Sequence, residues 1–348
     1  MELSAILTDW HTDNSRDLPW KYDRDPYKIW VSEILLQQTR VDQAKPYFER
    51  FISQFPTVAD LAAAPLDQLL RLWQGLGYYS RARNMHAAAK QVVESFGGRF
   101  PATAKELALL RGVGPYTAAA VAAFAYDEPV VAMDGNLYRI FSRLSANPCP
   151  IDTPAGRRFF ESLALEAMGD TPASLFNQSL MDFGSSVCTP QPKCTVCPLS
   201  RLCRAYALEK TKDFPVKQPQ KAPLSRYFYY LHIHIGVDTF IQQRTAKDIW
   251  QGLWQFPLIE TRRPAPPATL PELPEWHTIF GGREVVVAGW SKPYAHRLTH
   301  RLIHACFMQI RLDSPTIWMR ERCLQIPQSN IDQFGVSRLT ERYLLEQP

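Results

Sequence analysis

Four cysteines fall within sixteen residues, spaced Cys188-x5-Cys194-x2-Cys197-x5-Cys203, and they are four of the seven in the chain. Thiols at that density pair as disulfides, grip a structural zinc ion or carry an iron–sulfur cluster. Cys149, Cys306 and Cys323 are scattered singly and the total is odd, which suits a disulfide framework poorly. Zinc sites of four cysteines are built from two short knuckles on a long arm, and only Cys194 and Cys197 make a knuckle here. A cubane cluster takes its four thiolates from one wrapped loop and accepts a single x2 step between longer ones. The spacing ranks a cluster first, zinc second and a disulfide third.

Two carboxylates could do acid–base or electrostatic work. In residues 25–39, DPYKIWVSEILLQQT, the helical neighbours of Glu33 are Ile29, Trp30, Leu36 and Gln37. A carboxyl on such an apolar stripe, with no evident counter-ion, holds its proton toward neutral pH, as a general acid must. Asp134 lies in VAMDGNLYR, residues 131–139. Taken alone, it reads more simply as a helix N-cap than as a catalyst.

Residues 109–121, LLRGVGPYTAAAV, follow one helical stretch and open another. Gly112, Val113 and Gly114 form a turn with bare N–H groups, and Pro115 starts a helix whose alanines permit close packing. A plain αα-hairpin would account for Gly-x-Gly alone. The whole run L-x-G-V-G-x-x-T-A resembles the helix–hairpin–helix element that grips one DNA phosphate without reading bases.

Hairpin and cysteine loop together resemble the base-excision DNA glycosylases related to endonuclease III. In that superfamily a catalytic aspartate follows the hairpin, and Asp134 fills that position. The segments SEILLQQT (32–39) and GLGYYSRAR (75–83) are similar to signature segments of the adenine DNA glycosylases, the MutY family. The resemblance is dense over 1–208 and looser beyond. It implies that Glu33 protonates the purine at N7 and that Asp134 stabilises an oxocarbenium-like sugar, with Tyr116 and Asn136 positioning both. It further implies that Gln38 and Tyr78 wedge into the base stack and that Arg16, Leu18 and Trp20 line the region near the lesion. Endonuclease III relatives carry a lysine where this chain has Tyr116, and lack a glutamate in the Glu33 role. A lysine would attack C1′ and form a Schiff base; tyrosine does not, so monofunctional hydrolysis is expected. A [4Fe-4S] cluster on Cys188, Cys194, Cys197 and Cys203 would clamp a basic loop against phosphates. One departure stands out: the family shows six residues between the first two cysteines, whereas 189–193 supplies five.

Further on, GLWQFP (252–257), with Arg244 upstream, resembles the start of a Nudix-like fold. The acidic box of Nudix hydrolases is missing, since 262–276 offers only Glu272 and Glu275, so no nucleotide hydrolysis is expected. His296, Arg297, Leu298, Thr299 and His300 are similar to the family loop that reads 8-oxoguanine opposite adenine, with Leu298 and Thr299 replacing the commoner Phe and Ser. A metal site on His296, His300 and His304 is the weaker reading.

These groups need elements to hold them. Asp25-Pro26, Thr153-Pro154 and Thr171-Pro172 each predict a helix start, a cap residue followed by proline. Apolar spacing predicts helices over 66–73 and 81–96, the second stopped by Gly97 and Gly98. Strands are predicted over 227–235, 239–243, 284–288 and 302–312, and a loop over 262–276 with its five prolines. The expected organisation is an all-α helix–hairpin–helix glycosylase domain over 1–208, a six-helix module plus an iron–sulfur module with its loop at 188–203. A linker at 209–225 follows, and then an α+β Nudix-like 8-oxoguanine recognition domain at 226–348.

A chain of 348 residues with 46% hydrophobic content can bury two cores. The opening MELSAILTDW has neither the basic nor the apolar region of a signal peptide, and no apolar run is long enough for a membrane span. Cytoplasm, on the nucleoid, is the expected location. Net charge is only +5, yet residues 188–226 hold eight cations against two anions, a local excess that suits a polyanion. The expected partner is double-stranded DNA with adenine opposite 8-oxoguanine or guanine, bound by a monomer away from membranes. A bifunctional endonuclease III-like glycosylase/lyase, a thymine-mismatch glycosylase and a non-catalytic iron–sulfur DNA-binding protein are the rivals. The cysteine spacing predicts a brown protein with about four irons per chain. Metal analysis after anaerobic purification checks this, and stoichiometric zinc without iron would refute it.

Overall fold

The computed structural model describes every residue except 1, 22, 38, 220, 221 and 348. The chain forms two compact units, Met1–Ala64 with Asn84–Pro219, and Pro65–Arg83 with Gln220–Pro348.

The first unit is helical: α1 (Glu2–Asn14), α2 (Pro26–Leu36), α3 (Val41–Gln54) and α4 (Val58–Ala63) precede the division. α5 (Leu66–Leu72) belongs to the second unit, as does the start of α6 (Ser80–Phe96). The first unit resumes with α7 (Ala104–Leu107), α8 (Pro115–Tyr126), α9 (Gly135–Ser145), α10 (Pro154–Met168), α11 (Ala173–Ser186) and α12 (Arg204–Ala207). Asp25 caps α2 by accepting from the Tyr27 N–H, and Thr153 caps α10 by accepting from the Gly156 N–H, each with proline at the first helical position. The third such dipeptide behaves differently. α11 begins one residue later, Pro172 occupies its N-cap position, and Thr171 lies outside.

α8 is the central rod. Its residues from Thr117 to Ala123 are all buried, because a helix of alanines lets α2, α7 and α11 approach on several sides. Around it Leu137, Ile140 and Phe141 of α9, Phe160 of α10 and Phe176, Leu180 and Phe183 of α11 close a core with Leu7 of α1. The hairpin leading into α8 depends on Gly112, whose φ is +75°. A Cβ there would also meet the Asn84 side chain at 2.5 Å, so only glycine fits.

The second unit is built on a mixed sheet: β1 (Leu224–Ile235), β2 (Asp238–Gln243), β3 (Trp254–Gln255), β4 (Leu258–Thr261), β5 (Val286–Trp290), β6 (Tyr294–Arg297), β7 (Arg301–Arg311) and β8 (Leu324–Pro327). Its main path runs β3-β2-β1-β7-β5; β4, β6 and β8 pair with β1, β7 and β2. β1 and β7 are parallel from Leu224 opposite Arg301 to His234 opposite Arg311, and both faces of this pair are covered. Leu231, Ile233, Met308 and Ile310 pack beneath α13 (Pro274–Phe280) and α14 (Ile317–Arg322). Phe228, Tyr230 and Phe307 meet Leu339 and Tyr343 of α15 (Arg338–Leu345), where the Tyr343 ring stacks on Phe307 at 3.9 Å.

The proline-rich segment 262–276 is not a plain loop. It forms a 3-10 turn over Pro267–Glu272 and runs into α13, with Pro267 and Pro274 in first helical turns. Proline is at home there, since the missing N–H has no partner to lose. Residues 209–219 likewise belong to the first unit, tied by the Ile151 N–H donating to the Val216 carbonyl. Residues 65–83 join the second unit through the Tyr79 hydroxyl, which donates to the Val336 carbonyl at 3.1 Å, through Arg83 to the Gln251 carbonyl, and through Leu70 against Gly335. A chain ending at Pro219 loses these partners. Limited proteolysis should then cut within 65–83 while the full chain resists there; equal resistance would show that the segment stands without the strands.

Candidate active site

Glu33 sits on α2 among Tyr27, Ile29, Trp30 and Ile34, all buried, and is itself 5% exposed. The Tyr116 hydroxyl, from the first turn of α8, donates to its Oε2 at 2.7 Å. Burial pushes the Glu33 carboxyl up to about 7; the phenol bond opposes this and the nearby Asp134 charge adds to it. Tyr116 is raised well above its ordinary value, chiefly by burial and then by the Glu33 charge, so it stays a donor. With Oε2 taken by the phenol, a proton on the carboxyl resides on Oε1.

Asp134 is the N-cap of α9, as its local sequence suggests. Oδ1 accepts from the N–H groups of Asn136 and Leu137 at 2.8 Å each, and Oδ2 from the Asn136 side-chain amide at 2.8 Å. Burial pushes its carboxyl above the usual aspartate range, against these bonds and the Arg139 charge. The cap and the electrostatics are one device: the helix N-terminus favours the carboxylate and so opposes the rise that burial imposes. Asn136 is braced in turn, its Oδ1 accepting from Arg139 Nη2 at 2.7 Å. A Cβ on Gly184 of α11 would come within 2.7 Å of Asn136 Cβ, so glycine is needed there for α9 to sit close. Buried Asn177 secures the approach, accepting from the Ala132 N–H at 2.8 Å and donating to the Val130 carbonyl at 3.0 Å.

Glu33 and Tyr116 open onto a cavity of about 300 Å³, walled by Leu18, Trp20, Ile29 and Phe124 and bordered by Arg16 and Gln178. The structure thus brings Arg16, Leu18 and Trp20 to the same cavity as Glu33. Gln38 lies outside the described residues. Sequence reasoning missed Lys21, Gln178 and Asp182, which border the cavity, and also Asn177, Arg139 and Arg143. Gln178 and Asp182 are four apart on α11 and so share a face, a spacing visible in FNQSLMD.

The four cysteines line a small void of about 20 Å³ in the same unit, and all seven cysteines of the chain are free thiols. The shortened first loop closes: the Lys193 N–H donates to the Val187 carbonyl at 3.0 Å. Arg139 Nε donates to the Cys188 carbonyl, and Arg143 donates to the Thr189 and Pro190 carbonyls and to Cys188 Sγ at 3.4 Å. α9 therefore carries Asp134 at its start and braces the cysteine loop farther along. Among the described residues no three His, Cys, Asp or Glu side chains converge on a single metal ion. An all-thiol set around one void still fits a cubane, which takes one thiolate on each of four irons.

In the second unit, Tyr78 shares a cavity of about 760 Å³ with Trp250, His296, Leu298, Thr299 and His300. Tyr78 is 45% exposed and has a φ of +47°, rare for a side-chain-bearing residue. His296 meets the Trp250 ring edge-on at 5.7 Å and burial lowers its pKa, while His304 stacks on Tyr227.

Residues 31–155 match the HhH-GPD superfamily of base excision DNA repair proteins, and residues 229–346 match the NUDIX domain. A solved thermostable thymine-DNA glycosylase is 32% identical with a TM-score of 0.55, over 60% of this chain and 95% of that one. Fold and site define a helix–hairpin–helix DNA glycosylase that carries a Nudix domain. An adenine DNA glycosylase of Buchnera aphidicola subsp. Schizaphis graminum is 36% identical across 74% of this chain and 75% of its own length. Another, of Buchnera aphidicola subsp. Acyrthosiphon pisum, is 30% identical across 98% of this chain and 96% of its own. The chain belongs to the adenine DNA glycosylase family. No helix among the described residues is long and apolar enough to cross a membrane.

The buried acid has a thermodynamic signature. A carboxyl raised from 4.5 to about 7 binds its proton more tightly folded than unfolded. Its contribution to stability is complete below pH 4.5 and is lost as pH rises through 7, where ionisation costs on the order of 3 kcal/mol. Glu33→Gln should therefore match wild type in denaturant midpoint near pH 4 and exceed it at pH 8. A constant difference across that window would mean that Glu33 is not buried as described.

Proposed function

We propose that this chain is a monofunctional glycosylase that extrudes adenine mispaired with 8-oxoguanine, or with guanine, and hydrolyses its N-glycosidic bond. Adenine removal in base excision repair follows from the family. The observation that carries the mechanism is the buried Glu33–Tyr116 pair within the electrostatic reach of Asp134, beside a cavity that Leu18, Trp20 and Phe124 share with Arg16, Lys21 and Gln178.

An adenine inside the duplex is out of reach, so it must swing out, at a cost of a few kcal/mol that mispairing reduces. The cavity at Leu18 and Trp20 receives it. Glu33, which holds its proton up to about pH 7, gives its Oε1 proton to N7, which makes the base a leaving group. The C1′–N9 bond breaks with its electron pair going to the base, and positive charge develops on the sugar. The fixed Asp134 carboxylate stabilises that charge, and Asn136 keeps it aimed. Water then adds to C1′ and its proton returns to Glu33. Tyr116 offers no amine, so no Schiff base forms and the strand stays intact.

Cys188, Cys194, Cys197 and Cys203 would hold a [4Fe-4S] cluster, which when bound staples residues 188–203 into one shape. That loop, with the start of α12, would present Lys193, Arg201 and Arg204 to phosphate. Gly112 and Gly114 of the hairpin would take a further phosphate on their amides, the Val113 N–H being spent on the Leu110 carbonyl at 3.1 Å. In the second unit, Thr299 and Leu298, with Tyr78 across the same cavity, would read the 8-oxoguanine left opposite. The protein would do this as a monomer on nucleoid DNA in the cytoplasm.

Single-turnover excision on defined mispairs tests the assignment. Glu33→Gln and Asp134→Asn should each slow adenine release by about 10² or more, because each acts on charge made in the transition state. Duplex affinity should stay near wild type. The wild-type rate should fall about tenfold per pH unit above 7 as the acid empties. Wild-type turnover by Glu33→Gln would put the active site elsewhere.

A further inference from the structure

Between α1 and α2, residues 15–21 run without helix or strand, yet they supply Leu18 and Trp20 to the wall of the base cavity. Within this stretch the Lys21 N–H closes a turn on the Leu18 carbonyl at 3.0 Å. The stronger hold comes from Asp182 of α11, which is 1% exposed. Its Oδ1 accepts from Arg16 Nε at 2.6 Å. Its Oδ2 accepts from Lys21 Nζ at 2.5 Å, from His11 Nε2 of α1 at 3.1 Å and from the Arg16 N–H at 3.2 Å. Burial by itself would push this carboxyl up, but the bonds from His11, Lys21 and Arg16 outweigh it and keep Asp182 ionised. One buried anion thus takes both ends of the stretch that bears the wall.

We infer that Asp182 is the positioning residue of the base cavity: by binding Arg16 and Lys21 it fixes Leu18 and Trp20 as the wall against which the extruded base is seated. This rests on the adenine reading above. Trp20 also packs edge-on against Phe48 of α3 at 5.3 Å, so its ring is fixed from behind while Asp182 fixes the backbone that carries it. A wall on an irregular segment stays in place only if its ordering is complete before the base arrives. Otherwise each seating event must order the loop as well as the base.

Asp182→Asn in the full chain removes the anion and leaves Arg16 and Lys21 without it. Adenine release from a mispaired duplex should slow on the order of 10²-fold, the penalty of a misplaced reacting group. Duplex affinity should change by less than about threefold, since phosphate contacts set it. With 2-aminopurine at the target position, the fluorescence rise on binding should be lost, a sign of failed seating that general destabilisation would not mimic. Lys21→Gln should show the same pattern at about a tenfold loss, and the double variant should be no slower than Asp182→Asn alone.

Wild-type excision by folded Asp182→Asn overturns the inference, and so do additive losses or a matching fall in duplex affinity. If Asp182→Asn does not fold, Lys21→Gln decides: wild-type excision and seating by that variant overturn the inference. A wild-type chain that releases no adenine would bring down the functional reading and this inference together. A wild-type chain that does, with unimpaired variants, would bring down this inference alone.

Discussion

A carboxyl kept out of water is the constraint from which the rest of the catalytic unit follows. Water would return Glu33 to its ordinary acidity and leave no proton to give at neutral pH. Keeping it dry requires the apolar face of α2 to lie flat against α8, and α8 can accept that face because half its residues, and five of the seven from Thr117 to Ala123, are alanine. Tyr116 is then the one polar group α8 directs at the acid, and it meets one oxygen while leaving the other for the proton. A buried acid is a liability for folding above pH 7, and the large helical core around α9, α10 and α11 offsets it.

The second carboxylate is held differently. Burial raises both carboxyls, but at Glu33 one phenol opposes it, whereas at Asp134 a helix terminus, an amide and a guanidinium do. Pairs of acids whose surroundings push them toward different protonation states can divide acid and electrostatic roles between them. In the assignment proposed above, the division comes from where two helices begin: α8 brings a phenol to Glu33, and α9 brings backbone amides to Asp134.

Much of this was legible in the residues. The stripe of Ile29, Trp30 and Leu36 around Glu33 foretold its burial, and the hairpin glycines marked the entry to α8, where φ at Gly112 excludes a side chain. Two of three cap–proline pairs open helices as expected. The third fails because Pro172 itself takes the cap position, which a dipeptide pattern cannot distinguish. The loop expected over 262–276 becomes a 3-10 turn and a helix start because proline is as compatible with a first helical turn as with a loop. Arg139, Arg143, Asn177 and Asp182 escaped notice for a different reason. Each acts on backbone or side chains tens of residues away, and no local periodicity records such partners.

The placement of Tyr78 shows how a long-range arrangement can be written in a short segment. Residues 65–83 carry it into the second unit, where the Tyr79 hydroxyl is anchored on the Val336 carbonyl and Tyr78 is turned toward Leu298 and Thr299. Tyr78 and Tyr79 both line this cavity, one exposed and one buried, and the backbone leading into them bends sharply. The left-handed φ values at Gly75, Gly77 and Tyr78 supply that bend. Glycine accepts such a conformation freely and tyrosine does not, so the bend is stable only because Tyr79, Arg81 and Arg83 are secured on its far side. A ring held in a strained position and left 45% exposed gains little for the fold itself. The Arg81 guanidinium lies 5.7 Å from its centre, a cation–π contact between the exposed ring and the side chain secured to the Leu76 carbonyl.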